Sequence, residues 1–170
     1  LAALLALLLS GCHGAREHSS FQLPQALDTS RDFTITFWAK NDTNITQANI
    51  YRQAIAEFHE LYPNITVEMR LYTDYGRIYN DVITNIATAT TPNVCITYPD
   101  HIATYLTGEN VVVPLDDLLT DENYGLGGSK VNFDAPTRDE IVPKFLQECN
   151  FAGHQYALPY MRSTEACYVN

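Results

Sequence analysis

The sequence predicts an α/β fold built on a mostly parallel β-sheet with helices on both faces. Segments rich in β-branched and aromatic residues alternate along the chain with segments whose apolar residues recur every three or four positions. Such alternation is typical of strand–helix–strand units, whose strands lie parallel. The chain has 170 residues, of which 46% are hydrophobic and 18% charged, and this is enough to bury the core of one such domain.

The first half of the predicted domain contains two strands and two helices. Residues 33–39 and 65–72 have the composition and the alternation of strands. Residues 46–62 carry an apolar stripe at helical spacing. A second helical stripe over residues 75–86 follows Asp74, a residue type that commonly caps helices.

Shorter elements are predicted in the second half. Residues 94–98 are an apolar run typical of a buried parallel strand, and a short helix is expected at residues 99–106. One or two helical turns are predicted around residues 115–119. Residues 138–148 predict a helix shortened by its internal proline, and residues 149–157 predict a β-hairpin.

The N-terminal residues have the pattern of a lipoprotein signal. Residues 1–9 are an unbroken run of Leu and Ala, which is shorter than the roughly 20 residues that span a bilayer. The Leu-Ser-Gly-Cys segment that ends at Cys12 resembles a bacterial lipobox, which implies cleavage before Cys12 and lipid on its thiol. We therefore expect a partial signal peptide at residues 1–11, and a lipidated cysteine with a flexible tether at residues 12–31. The alternative is a core helix that contains a cysteine.

Charge and cysteine spacing exclude several classes of function. The formal net charge is −10, from 10 Lys and Arg against 20 Asp and Glu. No nucleic-acid partner is expected, because phosphate binding depends on basic side chains. No spacing matches a metal motif or a phosphate-binding loop, so we expect neither a metal nor a cofactor. Cys95 is expected to be a small buried residue, whereas Cys149 and Cys167 are either free or paired.

Polar and aromatic residues cluster where the predicted strands end, which is where ligands bind in open parallel sheets. In strand order these candidates are Trp38, Lys40, Asn41, Tyr75, Asp100 and His101. Aromatic rings stack on the apolar faces of sugars, and carboxylates, amides and amines bond sugar hydroxyls. The sequence therefore predicts a carbohydrate site at this edge. As alternatives, Trp38 and Tyr75 are core residues, Asp100 is a helix cap and His101 is a surface residue.

From residue 33 onward the chain resembles the family 1 extracellular solute-binding proteins, the receptors of ABC importers for sugars and, in one branch, glycerol-3-phosphate. The resemblance rests on the element order, on Phe37-Trp38, and on the segment Tyr-Ala-Leu-Pro-Tyr at 156–160 with the Ser-Thr and Tyr-Val-Asn that follow it. It implies the N-terminal lobe of a type II periplasmic-binding-protein-like fold at residues 32–158. Residues 159–170 would then be a hinge or crossover toward a second lobe that this fragment lacks.

The resemblance also implies which residues bind the ligand. The positions that match Tyr75, Asp100 and Ser163 face the cleft in relatives that bind sugars or sugar phosphates, and Trp38 matches a family aromatic residue. Arg162 has no dependable counterpart in the family. It is a further candidate because its charge, with that of Lys40, leaves a sugar phosphate open as the ligand.

From the resemblance we expect a substrate-binding lipoprotein, not an enzyme, that captures a sugar or oligosaccharide and delivers it to ABC permease subunits. It would be a monomer outside the cytoplasm, anchored by lipid to a bacterial cell membrane. The alternative functions are an exported carbohydrate-active enzyme and a surface carbohydrate adhesin. An enzyme would need paired carboxylates or a nucleophile with a base, and Asp100 beside His101 is the only such pair at the strand ends.

Overall fold

The structure, a computed structural model, describes residues 21–41, 45–128, 136–163 and 166–167. The predicted signal peptide and Cys12 lie outside these residues. Within residues 21–31, which belong to the predicted tether, the carboxylate of Asp28 lies 2.9 Å from the backbone nitrogen of Ser30 and 2.8 Å from the guanidinium of Arg31. These hydrogen bonds lower the pKa of Asp28 to about 2. Across the described ranges, no helix combines the length and the hydropathy that crossing a bilayer requires.

Three strands of the described chain form a parallel sheet, which confirms the predicted architecture. They are β1 (Phe33–Lys40), β2 (Ile65–Tyr72) and β3 (Val94–Cys95). Strand β1 lies in the middle and pairs with β2 along the whole length of both strands. The sheet order is therefore β2-β1-β3.

Helices cover both faces of this sheet. Helix α1 (Ile45–Leu61) lies on one face, where Tyr51 meets the ring of Phe37 edge to face at 5.6 Å. Helix α2 (Tyr75–Ile86) packs against Trp38. Because Phe37 and Trp38 are neighbours in β1, their side chains point to opposite faces of the sheet. The two helices therefore lie on opposite faces.

The main core lies between the sheet and α2 and is completed by helix α3 (Pro99–Tyr105). Its buried members are Trp38, Tyr72, Ile78, Val82 and Tyr105. The carboxylate of Asp74 caps α2 by accepting a hydrogen bond from the backbone N–H of Arg77 at 2.8 Å. This cap was predicted, and it fixes where the chain turns from β2 into α2.

Strand β3 is shorter than the strand predicted at residues 94–98. Only its first two residues pair in the sheet, and the backbone N–H of Ile96 adds one bond to the carbonyl of Trp38 at 2.9 Å. Pro99 then begins α3. Proline has no N–H for a strand ladder and is favoured at the first position of a helix, so the chain leaves the sheet before it.

The remaining elements are short. Helix α4 (Asp116–Thr120) agrees with the one or two turns that were predicted. The single helix predicted at residues 138–148 is instead a 3₁₀ turn (Arg138–Glu140) followed by helix α5 (Pro143–Gln147). The proline that begins α5 causes the break, because it forces the residue before it into an extended conformation with ψ of 118°.

The predicted hairpin is present at residues 150–155. Its strands are β4 (Asn150–Phe151) and β5 (His154–Gln155), which pair antiparallel. Ala152 and Gly153 form the turn with φ of 51° and 90°. Two successive residues in the left-handed region are typical of a type I′ turn, whose twist matches that of a hairpin.

The sheet face that carries α1 is only partly covered. An apolar groove of about 590 Å³ runs along α1 toward β3. Its lining includes Ile35, Phe37, Val94 and Ile96 from the sheet side and Ile50, Ala54 and Phe58 from α1. Ile50 and Val94 are 55% and 52% exposed, which leaves much of this apolar surface in contact with water.

Candidate functional site

The carboxyl ends of the three parallel strands lie at one edge of the sheet. The order β2-β1-β3 places successive strands on opposite sides of β1. In open α/β sheets, ligands bind outside the carboxyl ends of the strands, where the strand order changes direction. The side chains at this edge are therefore the first candidates for a binding site.

Four rings form a continuous row near this edge, which we call the aromatic rim: Tyr75, Tyr98, His101 and Tyr79. The centroids of Tyr75 and Tyr98 lie 4.6 Å apart. His101 meets Tyr98 edge to face at 5.3 Å, and its ring lies 4.4 Å from Tyr79. Tyr98 is 47% exposed, whereas the other three rings are half-buried. The rim therefore offers an aromatic surface to solvent.

Lys40 and Asn41 lie beside the rim at the end of β1. The Nζ of Lys40 is 5.3 Å from the ring centroid of Tyr75, a distance at which a cation and an aromatic ring attract each other. The backbone N–H of Asn41 donates to the carbonyl of Tyr72 at 2.8 Å. Its side-chain oxygen is buried and accepts no hydrogen bond from the residues that the structure describes. Lys40 thus reaches the rim, whereas the Asn41 oxygen faces away from solvent.

Arg162 approaches the rim from the predicted crossover. Its guanidinium forms an ion pair with Glu148 and lies 5.4 Å from the ring centroid of Phe145. Arg162, Tyr75 and Tyr98 also line the same small pocket of about 70 Å³. The crossover is therefore tied to the end of α5 beside the rim, and the charge of Arg162 is already paired.

A hydrogen-bonded group of polar side chains includes His101 of the rim. The hydroxyl oxygen of Thr97 is 3.2 Å from Nδ1 of His101 and 3.3 Å from the hydroxyl oxygen of Tyr105. Burial raises the pKa of Tyr105 to about 12, so its phenol keeps its proton. Thr97 therefore connects the half-buried His101 to the core.

The structure places Trp38 in the core and not on the rim. Its indole is 7% exposed, with Tyr72 at 5.4 Å and the guanidinium of Arg70 at 5.1 Å. Trp38 points to the face covered by α2, two residues before the end of β1. The core role, which the sequence left as the alternative, is the one that its burial supports, because a covered ring has no face to offer a sugar.

Asp100 and Ser163 are exposed. Asp100 lies in the first turn of α3, where a carboxylate stabilises the positive end of the helix dipole. It is not the N-cap, which is Tyr98. Within the described ranges no hydrogen bond directs either side chain toward the rim, so their ligand contacts stay predictions.

The rings of the rim can stack on a ligand, and the polar groups beside it can form hydrogen bonds. In the part of the chain that the structure describes, no three His, Cys, Asp or Glu side chains cluster in a way that could hold a metal ion.

Cys149 is buried, Cys167 is exposed, and both are free thiols, so the bridge that the sequence left open is not formed. Burial raises the pKa of the Cys95 thiol to about 11, which leaves it protonated and unreactive near neutral pH.

The sequence analysis did not identify three residues of the candidate site: Tyr98, Tyr79 and Thr97. Tyr98 is the last residue of the strand predicted at residues 94–98, whereas in the structure pairing ends at Cys95 and Tyr98 is the N-cap of α3. Tyr79 was assigned to the apolar stripe of α2, and its half-buried position is compatible with both roles. Thr97 gave no signal, because its role depends on contacts with α3.

Comparisons with known proteins identify the fold. No protein-family model matches the chain, and no curated protein matches it at a significant level. Among solved structures, the chain is similar to an extracellular solute-binding protein family 1 member from Alicyclobacillus acidocaldarius, with 19% identity and a TM-score of 0.58 over 78% of this chain and 29% of that one. It is also similar to the GacH receptor of Streptomyces glaucescens, solved unliganded and with acarbose, with 17% identity and a TM-score of 0.55 over 75% of this chain and 29% of that one.

A solute-binding protein of an ABC transporter from Thermotoga lettingae, bound to α-D-tagatose, is similar at 16% identity with a TM-score of 0.54 over 76% of this chain and 29% of that one. The chain spans less than a third of the length of these structures. At this level of identity the likeness establishes the fold. The α/β chain with its helix-flanked parallel sheet has the fold of the extracellular solute-binding proteins.

Proposed function

We propose that this chain binds a carbohydrate at the aromatic rim. The observation that carries the proposal is the pair of rings formed by Tyr75 and Tyr98, with centroids 4.6 Å apart and Tyr98 47% exposed. An exposed aromatic face is the group that stacks on the C–H face of a sugar ring. The pair lies at the carboxyl edge of the sheet, where ligands bind in open parallel sheets.

The charges beside the rim favour an uncharged sugar over a sugar phosphate. The guanidinium of Arg162 is paired with Glu148, so a phosphate would have to compete with a carboxylate for it. The whole chain carries a formal net charge of −10, which repels anions at long range. Lys40, beside Tyr75, is placed to donate hydrogen bonds to sugar hydroxyls.

The ligands of the structural neighbours support the same class. The GacH receptor was solved with acarbose, and the protein from Thermotoga lettingae with α-D-tagatose. Both ligands are rich in hydroxyl groups and have apolar C–H faces. By analogy of fold, we propose that residues 32–158 form one lobe and that residues 159–170 lead to a second lobe that closes over the ligand.

The proposed biological role is that of a solute-binding protein that delivers its sugar to an ABC permease. We further propose that lipid on Cys12 holds the protein, as a monomer, at the outer face of a bacterial cell membrane. These parts of the proposal rest on the sequence pattern of residues 9–12 and on the likeness of fold.

A matched pair of tyrosine variants tests the proposed site. Acarbose and D-tagatose are titrated into the full-length protein, with both proposed lobes, and the heat of binding is measured. Tyr98→Ala is expected to weaken binding by about tenfold, because loss of one stacking ring costs roughly 1.5 kcal/mol. Tyr62→Ala is the control, since Tyr62 packs on Phe58 at the end of α1, just before the amino end of β2.

Equal affinities for the two variants would remove the aromatic rim from the binding site.

The products after incubation distinguish binding from catalysis. Recovery of the sugar unchanged agrees with a receptor, whereas release of a cleaved or modified sugar would instead indicate an exported carbohydrate-active enzyme.

A further inference from the structure

His101 lies at the centre of the aromatic rim, but other residues already surround its ring. Tyr79 lies 4.4 Å away with an interplanar angle of 40°, and Tyr98 meets the ring edge to face at 5.3 Å. Nδ1 lies 3.2 Å from the hydroxyl oxygen of Thr97. The ring of His101 is therefore already in contact with other side chains. Because Nδ1 lies within hydrogen-bonding distance of Thr97, a direct hydrogen bond from Nδ1 to a ligand is disfavoured.

The hydrogen bond at Nδ1 belongs to a chain that reaches the core. The Thr97 hydroxyl oxygen is also 3.3 Å from the hydroxyl of Tyr105, which is 3% exposed. One arrangement satisfies both hydrogen bonds: Tyr105 donates to Thr97, and Thr97 donates to Nδ1 of an imidazole that is protonated on Nε2. These hydrogen bonds thus link the imidazole to Thr97, in the turn after β3, and through it to Tyr105, at the end of α3.

The side chain of Tyr98, by contrast, needs a packed neighbour to fix the orientation of its ring. It is the N-cap residue of α3, and its carbonyl accepts a hydrogen bond from the backbone N–H of His101 at 3.1 Å. Its side chain is 47% exposed and meets the rings of Tyr75 and His101. An exposed tyrosine side chain moves among rotamers on the nanosecond scale unless a packed neighbour restricts it.

We propose that His101 is a positioning residue of the site: anchored by Thr97, its imidazole holds the Tyr98 ring in the orientation that stacks on the sugar. This inference rests on the proposed carbohydrate function. It gives His101 a role different from the direct ligand contact that the sequence suggested. A preorganised ring does not have to be ordered on binding, so less of the interaction free energy is lost.

The proposal has a test that needs no ligand. The protein is labelled with 3-fluorotyrosine, and the fluorine NMR signal of Tyr98 is assigned with Tyr98→Phe. His101→Phe keeps an aromatic ring but removes the hydrogen bond to Thr97, and Thr97→Val removes the same bond from its other end. Both are expected to shift and broaden the Tyr98 signal. Thr97→Ser keeps the hydroxyl and is expected to preserve it.

A double-mutant cycle in sugar affinity separates positioning from direct contact. Acarbose and D-tagatose are titrated into the full-length protein carrying His101→Phe, Tyr98→Ala or both substitutions. His101→Phe is expected to weaken binding by about threefold to tenfold when Tyr98 is present and by less than about twofold when Tyr98 is absent, because coupled residues are not additive. Circular dichroism spectra confirm that each variant is folded.

Two outcomes would overturn the proposal. One is an unchanged Tyr98 signal in both His101→Phe and Thr97→Val. The other is the same loss of affinity from His101→Phe with and without Tyr98, which would assign His101 a direct contact with the sugar. If neither sugar binds the unsubstituted protein, the proposed function fails for these ligands, and the fluorine signal still decides whether His101 positions Tyr98.

Discussion

Trp38 and Tyr98 are both aromatic residues close to the carboxyl end of a strand, yet they have opposite surroundings. Trp38 is still inside the ladder of β1, where its face of the sheet is covered by α2. Tyr98 lies beyond the last paired residue of β3. The difference is in burial: Trp38 is 7% exposed between the sheet and α2, whereas Tyr98 is 47% exposed. Burial of the ring thus separates a core residue from one whose ring can contact a ligand.

The core role of Trp38 gives a first prediction. Trp38→Ala is expected to lower the free energy of unfolding by about 3–5 kcal/mol, because it leaves a large cavity next to Tyr72 and Ile78. Urea denaturation measures this loss. Tyr98→Ala is the comparison, and its cost is expected to be clearly smaller because half of that side chain is in water. A similar cost for both variants would contradict the assignment of Trp38 to the core.

At the scale of elements, the hairpin of β4 and β5 depends on a contact that is distant in sequence. The carboxylate of Asp116 in α4 accepts a hydrogen bond from the backbone N–H of Gln155 at 3.2 Å and lies 3.1 Å from Nδ1 of His154. The backbone N–H of Leu115 donates to the carbonyl of Gln155 at 2.7 Å. Since a two-stranded hairpin is marginal by itself in water, α4 holds it in place.

This contact leads to a prediction for Asp116. Asp116→Ala is expected to lower the free energy of unfolding by about 1–3 kcal/mol, because it removes an acceptor from the backbone of Gln155, a buried residue. Asp117→Ala, an exposed carboxylate in the same helical turn, is expected to change it by no more than about 0.5 kcal/mol. The midpoints of chemical denaturation compare the two. Indistinguishable midpoints would show that α4 does not support the hairpin.

The elements also show how far local sequence rules reach. The Asp74 cap, the amphipathic stripe of α2 and the type I′ hairpin turn all follow from residues close together in the chain. The break at Pro143 follows from a local rule as well, and the sequence analysis underestimated its effect by expecting one shortened helix. The length of β3 was overestimated, because an apolar run does not reveal how many of its residues find a partner strand.

At the scale of the whole molecule, the apolar groove along α1 is a surface that the proposed function does not use. Parallel sheets are normally covered on both faces, but here α1 leaves Ile50 and Val94 more than half exposed. An apolar surface of this kind binds the dye ANS.

The groove can be tested by charge insertion. Ile50→Lys and Val94→Lys are each expected to reduce ANS fluorescence by about half or more without lowering the melting temperature, because both side chains are already exposed. Leu61→Lys is the matched control, since Leu61 is 57% exposed on α1 and is not among the groove's lining residues. An equal loss of fluorescence in the control would show that the dye does not occupy the groove.

The sequence by itself determined the α/β class, the parallel order of alternating elements and the edge of the sheet at which a ligand is expected. These properties depend on periodicity and on local capping and turn rules, which are encoded within a few residues of each other. Only the tertiary structure decided which aromatic residues line that edge. The reason is physical: the exposure of a ring such as Tyr98, or the burial of Trp38, depends on strand register and on which helix covers each face, and both are set by residues far apart in the chain.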